Sequence, residues 1–207
     1  MTETAAVDFA ASQRFAALHR LIGNTPLLAI DFLYKNEPRV LYAKQESLNF
    51  TGSIKDRMAL FVLERAYRTG AIKKGDRIAE ATSGNTGISF SAVGRALGHP
   101  VTIVAIKDET FPELEALASE LGSTTFHWIT LGQLGKCISA FKGDGVSRAV
   151  MAGQVKHVKL FGGVMPDMTL MKVMFKLTSK STDALIGAVV EVLQESGITL
   201  MDSTALL

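Results

Sequence analysis

Asn49-Phe50-Thr51-Gly52-Ser53-Ile54-Lys55-Asp56-Arg57 and, about thirty residues later, Glu80-Ala81-Thr82-Ser83-Gly84-Asn85-Thr86-Gly87 are two turns of similar design. Each is rich in Gly, Ser and Thr, and each opens an apolar run with helical spacing. Hydroxyl and amide side chains ahead of such a run are helix start signals. A helix start leaves backbone N–H groups unbonded and carries the positive end of the helix dipole, so it attracts an anion. The chain therefore sets one lysine, Lys55, beside one anion cradle and places a second cradle nearby. That arrangement suits a cofactor held by an imine with a carboxylate substrate alongside.

Outward from these turns the pattern is an alternation of short strands and longer helices. Before them, the spacing from about Asp8 to Leu21 predicts a peripheral helix, and Pro26–Ile30 and Val40–Lys44 are short apolar runs that read as strands. Lys55 to Thr69 is a helix stopped by Gly70, Arg77–Glu80 a strand, and Ile88 to Leu97 a helix closed by Gly98. Val101–Ile106 is apolar throughout, as a central strand of a parallel sheet must be. Helices over Pro112–Leu121, Leu134–Phe141, Met168–Ser179 and Asp183–Ser196 alternate with strands over Thr125–Ile129, Arg148–Met151 and Ile198–Met201. The expectation is an α/β fold, a mostly parallel, helix-wrapped, Rossmann-like sheet. It would form either one continuous layer or two sub-domains, 1–100 and 101–207.

Composition narrows the function classes. Of 207 residues, 47% are apolar and 20% charged, which is globular composition. A net charge of +2 is too small to argue for nucleic acid or an anionic membrane surface, and no nucleic-acid partner is expected. The single cysteine, Cys137, forms no internal disulfide, which fits a reducing cytoplasm. No apolar run reaches the ~18–20 residues of a membrane span. Glu3 and Asp8 stand where a signal peptide would be basic. A soluble cytoplasmic chain is expected.

Together with Ile22-Gly23-Asn24-Thr25-Pro26-Leu27-Leu28, the two turns resemble the cysteine synthase family, pyridoxal-phosphate enzymes of β-replacement and β-elimination. Three motifs in the right order carry the likeness, from about Leu21 to about Pro100; Phe50 stands where the family usually has Pro. The resemblance implies that Lys55 binds pyridoxal phosphate as an imine and then removes the substrate's α-proton. It implies that Asn85 hydrogen-bonds the cofactor's phenolic oxygen. Thr82, Ser83, Gly84 and Thr86 would hold the substrate carboxylate. Thr51, Gly52 and Ser53 would shape the turn that presents Lys55, with Asp56 and Arg57 as first-turn charges. The substrate would be an activated serine, converted to an aminoacrylate to which sulfide or a thiol adds, and the usual family assembly is a homodimer. Two family parts have no counterpart after Pro100: the Gly/Thr-rich loop for the cofactor phosphate, and the Ser or Thr facing the pyridine nitrogen. Pyridoxal phosphate would then be captured only weakly. Outside the motif context Lys55 would read as a solvated lysine, and the second stretch as an ordinary strand-to-helix turn.

The later part resembles a different family. Val104-Ala105-Ile106-Lys107-Asp108-Glu109, His127-Trp128, Leu131-Gly132-Gln133-Leu134-Gly135-Lys136, Val150-Met151-Ala152-Gly153, Pro166-Asp167 and Thr182-Asp183-Ala184-Leu185 follow in order. They are similar to the N-terminal domain of the UDP-2,3-diacylglucosamine diphosphatase of lipid A biosynthesis, a hydrolase whose catalytic domain follows that point. The chain thus reads as a join of two family fragments with a seam between about Ile88 and Val104. Both families place strand, Gly-rich turn, helix and parallel strand there, so a swap conserves a βαβ unit. Binding of a nucleotide-lipid substrate or product is therefore a second functional expectation, and a non-catalytic chimeric scaffold a third. A Lys156-His157-Lys159 loop could grip a diphosphate or simply be solvated. Asp183 reads as a helix-start acid behind a Thr182 cap. His99 and His127 read as structural, His19 as surface and Cys137 as a core thiol. No cluster has metal-ligand spacing, so no metal is expected.

Overall fold

The computed structural model describes residues 9–82, 84–107, 109–120, 124–150, 165–177 and 182–201. Seven α-helices and seven strands lie among the described residues, alternating from α2 to α6. A helix α1 (Phe9–Leu21) leads into a hairpin of β1 (Leu27–Tyr34) and β2 (Glu37–Lys44), and a short 3-10 turn over Glu46–Leu48 leads to α2 (Lys55–Arg68). Then come β3 (Ile78–Thr82), α3 (Asn85–Leu97), β4 (Val101–Ile106), α4 (Glu113–Glu120), β5 (Thr124–Ile129) and α5 (Leu134–Gly143). The remaining elements are β6 (Arg148–Val150), α6 (Met168–Lys176), α7 (Thr182–Glu195) and β7 (Thr199–Met201).

The central layer is the parallel sheet β3-β4-β5, in which Ile78 pairs with Val101 and Val101 with Thr124. As its uninterrupted apolar sequence requires, β4 is covered on both faces. Val101, Ile103 and Ala105 pack with Leu114 of α4 and Ile88 of α3, while Val104 packs with Cys137 of α5 on the other face. The expected seam therefore falls inside one sheet, with β3 on one side of it and β4 on the other. A second parallel pair, β6 with β7, is backed by its own core of Ile138, Leu170, Val173, Val192 and Ile198.

Two expectations are revised. The strands before Lys44 do not join the parallel layer. They form an antiparallel hairpin turned by Lys35 and Asn36, both at positive φ, and neither strand pairs elsewhere among the described residues. Two central residues at positive φ match the right-handed strand twist, which an Asn in second place tolerates. The first helix is also less peripheral than its mixed composition suggests. Ala11, Phe15 and Leu18 are buried against α2 and α3, and the Phe15 ring meets Tyr67 edge-on at 5.3 Å.

Polar ties link the layers. His99, fully buried, bonds the Tyr67 hydroxyl at 2.7 Å and the Asp76 carbonyl at 2.7 Å, and desolvation lowers its pKa, so its role is structural. Thr102 donates to Asp144 at 2.7 Å and His127 lies 3.1 Å from the same carboxylate. Burial pulls the Asp144 carboxyl up, but these two contacts outweigh it and hold it below its usual range. His19 is exposed and pairs with Glu64, and Cys137 is a buried thiol pushed up to about 12, mainly by burial.

Asp167 joins two helix starts. One carboxylate oxygen accepts from Leu170 N–H at 2.8 Å as the cap of α6, and the other accepts from Gly135 N–H at 2.7 Å in the first turn of α5. A Cβ on Gly135 would lie 2.6 Å from Thr169 Oγ1, so the close approach requires glycine there. Asp167→Ala is expected to lower stability by about 1–2 kcal/mol, the usual worth of a cap. Gly135→Ala should cost a similar amount, and the double variant less than the sum of the two, because both act on one contact. Chemical denaturation midpoints of the three variants check this.

Candidate functional site

Both Gly- and Thr-rich turns lie at the same end of the molecule. β3 ends at Thr82 and α3 begins at Asn85, so the start of α3 sits at the carboxyl end of a parallel strand, where α/β folds place ligands. The start of α2 is fixed beside it by one buried group. Asp56 has no exposed surface, and its Oδ1 accepts from Ser89 Oγ of α3 at 2.6 Å. The same carboxylate accepts from Thr51 N–H at 2.6 Å and from the Thr51 hydroxyl. Ser89 is one helical turn after Asn85, so Asn85 lies at the open end of α3 on the face turned to α2.

The turn that presents Lys55 is built by its neighbours. Gly52, at φ +80°, donates its N–H to Asn49 O at 2.9 Å, and Ser53 Oγ accepts from Lys55 N–H at 3.1 Å. Lys55 is the first residue of α2 and is exposed, and among the described residues nothing pairs with its Nζ. Asn85 is exposed and Gly84 and Thr86 are half-buried in the first turn of α3. Thr82 closes β3; its side chain, like the whole of Ser83, lies outside the described residues, as does the Lys156-His157-Lys159 loop.

A second layer of polar contacts holds the turn from behind. Glu46 accepts from Arg57 Nε at 2.7 Å, Arg57 Nη2 at 2.9 Å, Thr25 Oγ1 at 2.7 Å and Asn49 Nδ2 at 2.8 Å. Asn49 Oδ1 in turn accepts from Gly23 N–H at 2.8 Å, which ties the first motif to the second. The Arg57 guanidinium, followed by Thr25 and Asn49, holds the Glu46 carboxyl down at about 2. Below the sheet's carboxyl end, burial pushes the Glu80 carboxyl up to about 8, so it keeps its proton at neutral pH. Among the described residues no group of His, Cys, Asp and Glu could hold a metal, and no helix is long and apolar enough to cross a membrane.

Sequence reading located Lys55 and the α3 turn but missed what aligns them. Asp56 and Arg57 were expected as ordinary first-turn charges. Asp56 is instead the buried clamp between two helices, and Arg57 the centre of the Glu46 network. Neither Ser89 nor Glu46 stood out, because Ser in a helix and Glu in a loop are unremarkable until a partner distant in sequence is known.

Asp56→Ala should destabilise the fold by about 2–4 kcal/mol, since it leaves buried hydroxyl and amide donors unpaired. Its unfolding midpoint should fall well below that of Lys55→Ala, which loses nothing paired. The Glu46 carboxyl lies below its unfolded value of 4.5 in the folded chain. Its contribution is therefore present above that value and disappears as the pH falls toward 2. Stability measured against pH should drop across that window in the wild type, and less steeply in Glu46→Gln.

Residues 18–142 match the family model described as pyridoxal-phosphate dependent enzyme, and residues 81–207 match the LpxI N-terminal domain. The first match runs past the motifs that end near Pro100, so both models match residues 81–142, the stretch in which the sequence led to the expectation of a seam. A cysteine synthase of Aquifex aeolicus is 45% identical over 87 residues, 41% of this chain and 27% of the relative. A cystathionine beta-synthase of Rattus norvegicus is 41% identical over 110 residues, 51% of this chain and 20% of the relative. The crystal structure of a hydrogen sulfide-producing enzyme from Fusobacterium nucleatum superposes with a TM-score of 0.56 at 43% identity. It covers 64% of this chain and 41% of that one. The chain spans about a quarter of the cysteine synthase it matches. With the lysine turn, the α3 turn and the strand between them in place, the chain belongs over residues 18–142 to the pyridoxal-phosphate dependent enzyme family, and over residues 81–207 to the LpxI N-terminal domain family.

Proposed function

We propose that residues 18–142 carry the lysine-bearing part of a pyridoxal-phosphate site for β-replacement or β-elimination on an activated serine. The supporting observation is the Lys55 amine, exposed and unpaired among the described residues, on a helix start clamped by Asp56 to the start of α3. These residues fit the group. A primary amine is available for covalent attachment, and an exposed amide, Asn85, stands at the neighbouring helix start as a donor to a phenolic oxygen. When bound, the cofactor supplies an electron sink that acidifies the α-hydrogen of an amino acid.

The chain's own residues supply the rest. Lys55 in its neutral form takes the α-proton at Nζ. Gly84 and Thr86, with Thr82 and Ser83, orient the substrate carboxylate against the first-turn N–H groups of α3, where the helix dipole favours an anion. The Asp56 clamp keeps the two turns in register, so proton removal and carboxylate binding act on one molecule. Sulfide or a thiol is the acceptor, as in the making of cysteine that one relative's name gives. Retention rests on the Lys55 bond and few further contacts, so capture is weak.

The match over residues 81–207 supports a second reading, in which the later part binds the nucleotide or lipid phosphate of a UDP-diacylglucosamine. The two are separated by ligand. Reduction with borohydride in the presence of pyridoxal phosphate should leave one adduct, on the peptide containing Lys55, and Lys55→Ala should abolish it. Adducts scattered over many lysines, or none, would contradict the first reading. Thermal stabilisation by UMP or a glucosamine phosphate lipid would then favour the second, and no response to either a scaffold with inherited motifs.

A further inference from the structure

Pyridoxal phosphate has an aldehyde at one end and a phosphate monoester, with about two negative charges at neutral pH, at the other. In the reading above Lys55 takes the aldehyde and the start of α3 takes the substrate carboxylate. The phosphate then needs a cation of its own. Arg57 is committed to Glu46, and Lys44 to the Thr25 carbonyl. Among the described residues two further amines stand at the carboxyl end of the parallel sheet, Lys107 just past β4 and Lys136 in the first turn of α5. Both are exposed, and nothing among the described residues pairs with Nζ of either.

The pleat of β4 separates the two amines by face. Val101, Ile103 and Ala105 pack with Leu114 of α4 and Ile88 of α3, whereas Val104 packs with Cys137 of α5. Lys107 N–H donates to Ile129 O at 2.8 Å, so the β4–β5 ladder continues one residue past Ile106. Alternation therefore carries Lys107, two residues after Ala105, onto the α3 face, and Lys136 belongs to the opposite one. The register fixes the height as well. Thr82, the last residue of β3, pairs with Ala105, so Lys107 stands roughly 7 Å beyond the end of β3, at the level where the chain turns into α3. Glu109 and Thr110 N–H both donate to Ile106 O, so the chain reverses directly after Lys107. In a βαβ unit the residue just past the second strand flanks the start of the connecting helix. Nucleotide-binding folds put there the group that meets the ligand's ribose or its phosphate.

We propose that Lys107 is the cation that holds the phosphate of pyridoxal phosphate while Lys55 takes its aldehyde, an inference that rests on the reading given under Proposed function. The two amines come from different parts of the chain. Lys55 opens α2, which the Asp56 carboxylate ties to α3 through Ser89, and Lys107 ends the strand to which α3 leads. The α3 start stands between them in the connection, so a ligand with an aldehyde at one end and a dianion at the other spans it. An ammonium on a long, mobile stem meets a phosphate as a point charge and needs no preformed loop. The cofactor is then held by its two ends, and Lys107 makes the site prefer the phosphorylated aldehyde over pyridoxal itself.

The test titrates the full chain with pyridoxal phosphate and, separately, with pyridoxal. Binding is followed by the absorbance of the reversible adduct, and its position by borohydride reduction and peptide mass. Lys107→Gln should raise the dissociation constant for pyridoxal phosphate about tenfold, the worth of one charge-assisted hydrogen bond, and leave that for pyridoxal unchanged. Lys107→Arg, which keeps the charge, should bind both as the wild type does. Lys136→Gln, at the same end of the sheet on the other face, should change neither. Unaltered affinity of Lys107→Gln for pyridoxal phosphate would overturn the assignment, as would an equal loss for both aldehydes or a larger effect at Lys136. An adduct on Lys55 that forms normally in those cases would leave the proposed function standing. Absence of a Lys55 adduct with either aldehyde would instead sink the proposed function, and the role of Lys107 with it.

Discussion

The Asp56 carboxylate is fully buried, and it accepts from the Thr51 amide, the Thr51 hydroxyl and the Ser89 hydroxyl. A charged group is tolerated in that position only because its lone pairs are taken by directed donors. The same donors come from two places, the turn before α2 and the second turn of α3. Satisfying the carboxylate therefore fixes one helix start relative to the other. Lys55 lies between Ser53 and Asp56 in that turn, so its backbone is held at the start of α2 while its amine stays exposed. The Glu46–Arg57 network supports the turn from the opposite side and brings in Thr25, Asn49 and Gly23. The first two motifs are thus joined by polar contacts, and Ser89 brings in the helix that the third motif opens.

The stretch that both family models match contains the most buried strand of the sheet. β4 is buried on both faces and pairs in parallel with β3 before it and β5 after it. A strand in that place needs only an apolar sequence of the right length. Away from the sheet the two parts keep separate cores. Phe15, Leu63 and Leu97 belong to one, Ile138, Val173 and Ile198 to the other.

Local signals carried most of the fold. Glycine stops, hydroxyl-rich helix starts and the all-apolar run at Val101–Ile106 placed the parallel layer and its helices to within a few residues. What was not legible depends on partners far along the chain. Pro26–Ile30 and Val40–Lys44 read as strands, but nothing local says that they pair with each other and with no other described strand. The α1 stretch looked peripheral because its apolar residues are small and spaced by polar ones; Phe15 and Leu18 are nevertheless buried against Tyr67 and its neighbours. Asp56 looked like any acid in a first helical turn, where the dipole alone would justify it. Its partner Ser89 is thirty-three residues away. Asp167 joins α5 and α6 across a similar separation, from Gly135.

One buried carboxylate makes the two helix starts a single unit. Amide hydrogen exchange of the wild type and of Asp56→Asn, compared peptide by peptide, tests this coupling. Residues 49–57 and the first turns of α3 should lose protection together in the variant, while β4 keeps its own. Loss confined to the turn around residue 56, with the α3 start unchanged, would contradict it.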